Sequence, residues 1–268
     1  MTAPTDSPTD PTTAGALTDE AHRYYQENGF VRIPQVLSAD EVERFRAASE
    51  ELVAQHGPEI WGADESSVQV HFVAQAWLKH EALRDLALHP AITAIAKRLA
   101  GGPLRLYSTD VLLKPAQKEL ATLPTLVHDD ETGLPLDGLE RTLTAWIALV
   151  DVPVERGSLS YVPGSHLRDA AHRQTHMTSF AEHRAISDIW PDYDWQPRIT
   201  VPLKAGDVAF HHCRTVHMAG PNLTDSPRMG HGIVYMDAES TYRPGTEDAH
   251  IAHMTPGEPL NNEKFPLI

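Results

Sequence analysis

Hydrophobic positions along this chain change period near residue 100. Before it they recur at helical spacing: Val42, Phe45, Leu52 and Val53 form one stripe, and Ile92, Ile95 and Leu99 another. Ser38 and Glu41 have the spacing of a capping box, which satisfies two otherwise orphaned N–H groups and predicts a helix from Ser38 to about Gln55. Thr18, followed by the acidic Asp19 and Glu20, predicts an earlier helix to Asn28, stopped by Gly29. Pro90 suits a first helical turn, and Gly101-Gly102 ends the helix it starts. Between the first two helices, Phe30-Val31-Arg32-Ile33-Pro34 alternates like a short strand.

Beyond Leu104 the pattern is that of strands. Short β-type runs lie at 104–114, 126–130, 143–151, 159–162, 199–203, 208–212 and 231–237, separated by Gly, Pro and Asp. Strands at this spacing predict a sandwich or barrel, with the front helices covering one sheet. Two irregular stretches interrupt them: 131–140, and 166–198 with His172, His176, His183, Trp190, Tyr193 and Trp195. An interruption as long as the second reads as a lid or insertion. Residues 1–17 have little to bury and are expected to be a disordered tail, leaving 18–268 as a single domain; the segment after Ser240 is Pro-rich and polar.

Composition narrows the function classes. With 37 acidic residues against 22 Lys and Arg, the net charge of −15 argues against a surface that tracks nucleic-acid phosphates. The one cysteine, Cys213, excludes an intrachain disulfide and sits in an apolar run, where a buried and inert thiol is expected. No apolar run reaches the roughly 20 residues that span a bilayer, and the N-terminus lacks the features of a signal peptide. The expectation is a cytoplasmic protein acting on a small molecule, with neither nucleic acid nor membrane as partner.

The chemistry-bearing residues cluster in the strand-rich part. In an extended strand, residues i and i+2 share a face, so His128 and Asp130 can converge on one ion while Asp129 points away. Two imidazoles and one carboxylate hold Fe(II) on one face and leave three positions open. His211, His212 and His217 all compete for the role of second imidazole, and Arg228 lies beyond them.

An ordered series of motifs resembles the phytanoyl-CoA dioxygenase family of Fe(II)/2-oxoglutarate oxygenases over most of the chain. It runs through Gly29-Phe30-Val31 and the helix after Ser38, Leu113-Lys114-Pro115, His128-Asp129-Asp130 and Trp146-Ile147-Ala148-Leu149. It continues with Arg156-Gly157-Ser158-Leu159, Val162-Pro163-Gly164-Ser165-His166, Gly206-Asp207, and His217 to Asn222 followed by Arg228. The resemblance implies a double-stranded β-helix, a mainly β jelly-roll or cupin-like barrel with flanking helices. It also implies that His128, Asp130 and His217 ligate iron, the segment after His217 favouring it over His211 and His212. Arg228 would then pair with the far carboxylate of 2-oxoglutarate, a role that a planar, bidentate guanidinium suits. Lys114 matches a co-substrate contact in some relatives or is a strand-end surface lysine; Trp146 lines the co-substrate pocket or is core; Thr144 is a further co-substrate candidate.

The activity so implied is oxidation of an unactivated C–H bond with O2, releasing succinate and CO2. Hydroxylation is the leading outcome; epimerisation, desaturation and ring closure draw on the same chemistry, and a specialised natural product fits as substrate. Halogenating relatives carry a small residue at the carboxylate position, so Asp130 points to oxygenation or another oxidation. Two departures stand out: Asp129, where relatives carry a neutral polar residue, is expected to meet substrate or solvent, and Glu155-Arg156-Gly157 alters a turn. His166 is expected to be structural, and His172, His176 and His183 to belong to a polar loop. Two other classes share the three ligands: a cupin-like metal enzyme that does not use 2-oxoglutarate, and a non-catalytic ligand-binding barrel.

Overall fold

The computed structural model of the chain describes residues 15–64, 67–173, 184–244, 251 and 253–268. Helices α1 (Asp19–Asn28), α2 (Ala39–His56), α3 (Ala76–Lys79), α4 (Glu81–Ala87) and α5 (Pro90–Ala100) form the front, and α6 (Ile186–Ile189) lies in the long insertion. The first six strands are β1 (Phe30–Ile33), β2 (Glu59–Asp64), β3 (Ser67–Val73), β4 (Leu104–Lys114), β5 (Ala121–Thr122) and β6 (Leu136–Asp137). They are followed by β7 (Leu143–Ala148), β8 (Leu159–Tyr161), β9 (Ile199–Val201), β10 (Val208–His212), β11 (His217–Ala219), β12 (Arg228–Asp237) and β13 (Thr241–Tyr242). The predicted caps are present. Thr18 Oγ1 accepts the Ala21 N–H at 3.1 Å, and Ser38 and Glu41 complete the capping box that starts α2. Among the described residues no helix is long and apolar enough to cross a membrane.

The main sheet runs β1-β10-β7-β12-β4-β3-β2, with β5 paired to β3; β11-β8-β9 form a second sheet and β13-β6 a two-stranded ribbon. β7 shows how the layers stack. Leu143, Ala145 and Ile147 point outward into a core shared with Leu52, Leu83, Leu86 and Ile92 of the helices. Trp146 and Ala148 point inward, against Leu159, Tyr161 and Val201 of the second sheet. A strand covered on both faces loses its alternation, which is why β7 reads as one continuous apolar run. The result is the expected double-stranded β-helix, with helices on the outer face of one sheet.

Several elements depart from the pattern-based reading. The β2–β3 hairpin and helices α3 and α4 were not anticipated: α3 and α4 have four and seven residues, too few to show a helical period, although Trp77, Leu83 and Leu86 are buried. The run 126–130 is not a strand. Only His128 is bridged, to His217, while Asp130 has helical dihedrals (φ −75°, ψ −31°) and leads into the 3-10 turn Glu131–Gly133. β12 begins at Arg228, three residues before the apolar run, because Arg228 pairs with Lys114 of β4. Residues 1–14 of the expected tail lie outside the described residues, whereas Leu17 is buried and the Gly15 N–H donates to the Pro34 carbonyl at 2.8 Å. After Ser240, Ile251, Met254, Leu260 and Phe265 pack with Tyr107, Met236 and Cys213. Burial pushes the Cys213 thiol well above its ordinary pKa, so it is inert as expected.

Gly230 of β12 lies directly under the Trp146 indole, and a Cβ there would come within 2.2 Å of the ring. Gly230→Ala is expected to destabilise by about 1–3 kcal/mol in urea denaturation, because the ring has no room to yield. Gly232→Ala, whose Cβ would meet Leu112 at an ordinary 3.4 Å, is expected to be neutral or slightly stabilising.

Candidate metal centre

His128 and His217 are joined before any side chain is considered. Each donates its backbone N–H to the other's carbonyl, at 3.0 and 2.7 Å, and their rings lie 4.3 Å apart. Each imidazole also donates Nδ1–H to the carbonyl two residues before it, His128 to Leu126 at 2.6 Å and His217 to Thr215 at 2.9 Å. These bonds fix the tautomer and leave the lone pair on Nε2, the form in which histidine ligates metals. Asp130 joins them through a backbone bond to Cys213, and one donor atom from each of the three residues lies within 4.8 Å of the others. The set of two neutral imidazoles and a carboxylate fits a divalent iron. Burial lowers the pKa of both histidines, that of His217 well below its ordinary value. Burial pushes the Asp130 carboxyl up, but His217 and His211 outweigh it and hold it below its ordinary range.

Alternation along β10 sends His211 and His212 to opposite faces. His212 turns away, with Nε2 donating to the Glu140 carbonyl and Nδ1 accepting the Arg214 N–H. His211 turns inward, but its Nε2 meets Asp130 Oδ2 at 3.2 Å. Thr144, expected at the co-substrate, donates its hydroxyl to that same oxygen at 2.6 Å. His166 is structural as expected, its Nε2 facing the Gln26 carbonyl at 3.1 Å. His172 lies beside Tyr193, while His176 and His183 are outside the described residues.

Asp129 meets neither substrate nor solvent. It forms an ion pair with Arg168 at 2.6 Å in which neither side chain is exposed, and it accepts from the Thr132 N–H and hydroxyl. Arg168 comes from the insertion, donates to the carbonyls of Ser165 and Arg214, and lies over the Trp195 ring. Glu131 binds Arg173 and Arg214. The outer two of three consecutive acids thus anchor the insertion, while the middle one faces the imidazoles. Nothing in the spacing names Arg168; the only hint is an acid beside two ligand candidates, which needs a buried partner. Trp61 of β2, edge-on to His128 at 5.2 Å, was missed with its hairpin.

A second group lies on β4, β7 and β12. Arg228 and Lys114 are cross-strand partners, both buried, and among the described residues neither forms an ion pair. Arg228 donates to the Gly157 carbonyl at 3.0 Å and its guanidinium lies over Trp146 at 5.2 Å, while its Nε has no hydrogen-bond partner among the described residues. The altered turn before Gly157 therefore bears on this group. Lys114 is not a surface residue: its Nζ donates to the Leu123 carbonyl at 2.6 Å. Burial and then Arg228 lower the lysine to about 6, and burial lowers Arg228 to about 10. Two buried basic side chains placed opposite one another disfavour each other's charge, and an anion between them would offset that cost.

Comparison with known proteins agrees with this geometry. A family model described as phytanoyl-CoA dioxygenase (PhyH) matches residues 25–230. Rat peroxisomal phytanoyl-CoA dioxygenase is 25% identical over 253 residues, 88% of this chain and 74% of that protein. The crystal structure of SnoK, a non-heme alpha ketoglutarate dependent carbocyclase from nogalamycin biosynthesis, is 64% identical with a TM-score of 0.91, covering 97% of this chain and 100% of its own. The epimerase SnoN, in complex with Fe3+, alpha ketoglutarate and nogalamycin RO, is 41% identical with a TM-score of 0.80, covering 93% and 97%. Fold and site together define a non-haem iron, 2-oxoglutarate-dependent enzyme. The chain belongs to the phytanoyl-CoA dioxygenase family.

Removing one partner of a fully buried ion pair leaves the other uncompensated, typically at about 3–5 kcal/mol. Arg168→Met and Asp129→Asn are each expected to destabilise on that scale in urea denaturation, and the double variant by less than the sum. Full additivity would mean that the two side chains are not coupled.

Proposed function

We propose that His128, Asp130 and His217 ligate Fe(II), that Arg228 and Lys114 bind the far carboxylate of 2-oxoglutarate, and that the enzyme closes a ring on a natural-product intermediate. The observation that carries the cofactor roles is the pairing of a neutral-imidazole and carboxylate cluster with a buried arginine and lysine that have no acid partner among the described residues. A cupin-like enzyme without 2-oxoglutarate, or a barrel that merely binds a ligand, gives no reason for that second group.

When bound, iron and 2-oxoglutarate use O2 to supply an oxidant for a C–H bond and release succinate and CO2. The chain's residues set the stage for it. The Nδ1 bonds to Leu126 and Thr215 hold both imidazoles in their ligating tautomer. Trp146 covers the Arg228 guanidinium, keeping the carboxylate site dry and its charge pairing strong. The described part of the insertion brings Trp190, Tyr193 and Trp195 against Val127, Val216 and Met218, next to the ligands. With Trp61 it places aromatic side chains around the ligands, where the position of a bound substrate would select the bond oxidised.

Ring closure is favoured by the 64% identity to a carbocyclase across nearly all of both chains. Product mass separates it from the hydroxylation that the sequence alone favours. Incubation with intermediates of nogalamycin biosynthesis, Fe(II), 2-oxoglutarate and O2 is expected to give succinate and a product two hydrogens lighter. A product with one added oxygen would establish hydroxylation, and unchanged mass with altered stereochemistry would establish epimerisation. Under anaerobic conditions, Fe(II) and 2-oxoglutarate are expected to give a visible charge-transfer band that is lost in His217→Ala and Arg228→Ala and kept in His212→Ala. No band in the wild type would overturn the cofactor assignment.

Lys114 adds a pH dependence. With its pKa at about 6, the amine of the free protein is neutral above that pH. A bound dianion raises the pKa, so binding takes up a proton. Affinity for 2-oxoglutarate is therefore expected to be flat below pH 6 and to fall as pH rises above it, measured by calorimetry on the Fe(II) protein under argon. Lys114→Met is expected to weaken binding and to abolish this slope.

A further inference from the structure

We infer that His211, held by Tyr161 and joined by Thr144, is a positioning residue that fixes which oxygen of Asp130 faces the metal. The inference rests on the iron-binding reading above and concerns side chains outside the three ligands. In the β10–β7 register His211 lies directly opposite Thr144, so the two reach inward side by side. Both end on one atom, Asp130 Oδ2, the threonine hydroxyl at 2.6 Å and His211 Nε2 at 3.2 Å. The other oxygen, Oδ1, is the one turned toward His217 Nε2, at 3.7 Å.

The direction of the bonds follows from chemistry. An ionised carboxylate only accepts, so His211 presents Nε2–H to it, and in the neutral ring the lone pair then lies on Nδ1. The Tyr161 hydroxyl, 3.3 Å from Nδ1, is then the donor. Tyr161 is in turn clamped by stacking on Phe30, with ring centroids 4.4 Å apart and an interplanar angle of 11°. The chain of bonds thus runs one way, from a tyrosine locked between the sheets, through the imidazole, to the far oxygen of the carboxylate. His211 is not a fourth ligand: the nitrogen that would bind the metal is spent on the oxygen turned away from it. Nor is it a space-filling core residue, since both ring nitrogens are engaged in a pocket that is otherwise closed.

Occupying Oδ2 makes Asp130 a ligand through one oxygen. A bidentate carboxylate would take one of the three positions that a chelating 2-oxo acid and O2 need between them. Groups that orient ligands in this way typically change metal affinity 10- to 100-fold when removed.

The test is anaerobic titration of the metal-free protein with Fe(II) and, separately, Co(II), recording affinity and the Co(II) visible spectrum. His211→Ala is expected to lower affinity for both metals by about 10- to 100-fold and to alter the Co(II) bands, with far less effect on the thermal midpoint. His211→Gln, which keeps an N–H donor, is expected to recover most of the affinity and the wild-type spectrum. Thr144→Val is expected to weaken binding in the same direction, and carries the test if His211→Ala fails to fold. Wild-type affinity and spectrum in both His211→Ala and Thr144→Val would overturn the proposal. So would loss of binding in His211→Ala as complete as in His217→Ala, which would make His211 a ligand. If the wild type binds neither metal, the iron-binding reading itself falls, and this inference with it.

Discussion

Two backbone hydrogen bonds between His128 and His217 hold this site together. They tie the turn that carries Asp130 to the first residue of β11, and so connect the segment after β5 to the second sheet. Because both bonds are made by the peptide groups of the two histidines, the separation of the rings is set by β-bridge geometry before side-chain packing acts. Each ring is then fixed by a bond from Nδ1 to a carbonyl two residues earlier in its own segment. The same local device is used twice, and it leaves the two Nε2 atoms facing a common point with Asp130.

Around that point, charge is arranged by what each group lacks. Asp129, Asp130 and Glu131 are consecutive, yet the buried outer two pair with arginines while the half-buried middle one faces imidazoles. Arg168, Arg173 and Arg214 belong to the insertion and to the turn before β11, so these ion pairs tie the insertion to the ligand turn. Arg228 and Lys114 show the opposite pattern, two buried basic side chains and no acid partner among the described residues. An ion pair complete within the protein serves the fold, whereas buried charge without a partner awaits a ligand. That contrast separates the structural acids from the proposed carboxylate receptor.

Much of this was legible in the sequence, for identifiable reasons. Capping residues such as Thr18 and Ser38 act over three residues and could be read directly. The order of motifs pointed to the family, and through it to His128, Asp130, His217 and Arg228. What stayed hidden depends on contacts between distant segments. Asp129 appeared available for substrate because Arg168, its partner, lies in an irregular stretch with no period. The bond from Thr144 to Asp130 was not foreseen because register across β10 and β7, and not chain position, sets where its hydroxyl reaches. The β2–β3 hairpin with Trp61 was missed because its inward face is completed only by the ligand turn. His128 and Asp130 do converge, but through a bridge followed by a helical turn and not through the single strand from which their convergence was argued.

The central claim is that two imidazoles and one carboxylate oxygen hold the iron, with a third imidazole close by and unbound. X-ray absorption at the iron edge of the anaerobic protein loaded with Fe(II) and 2-oxoglutarate tests it most directly. The account predicts two imidazole nitrogens in the first coordination sphere, reduced to one in His217→Ala and unchanged in His212→Ala. Three imidazoles in the wild type, or a count unaffected by His217→Ala, would contradict it.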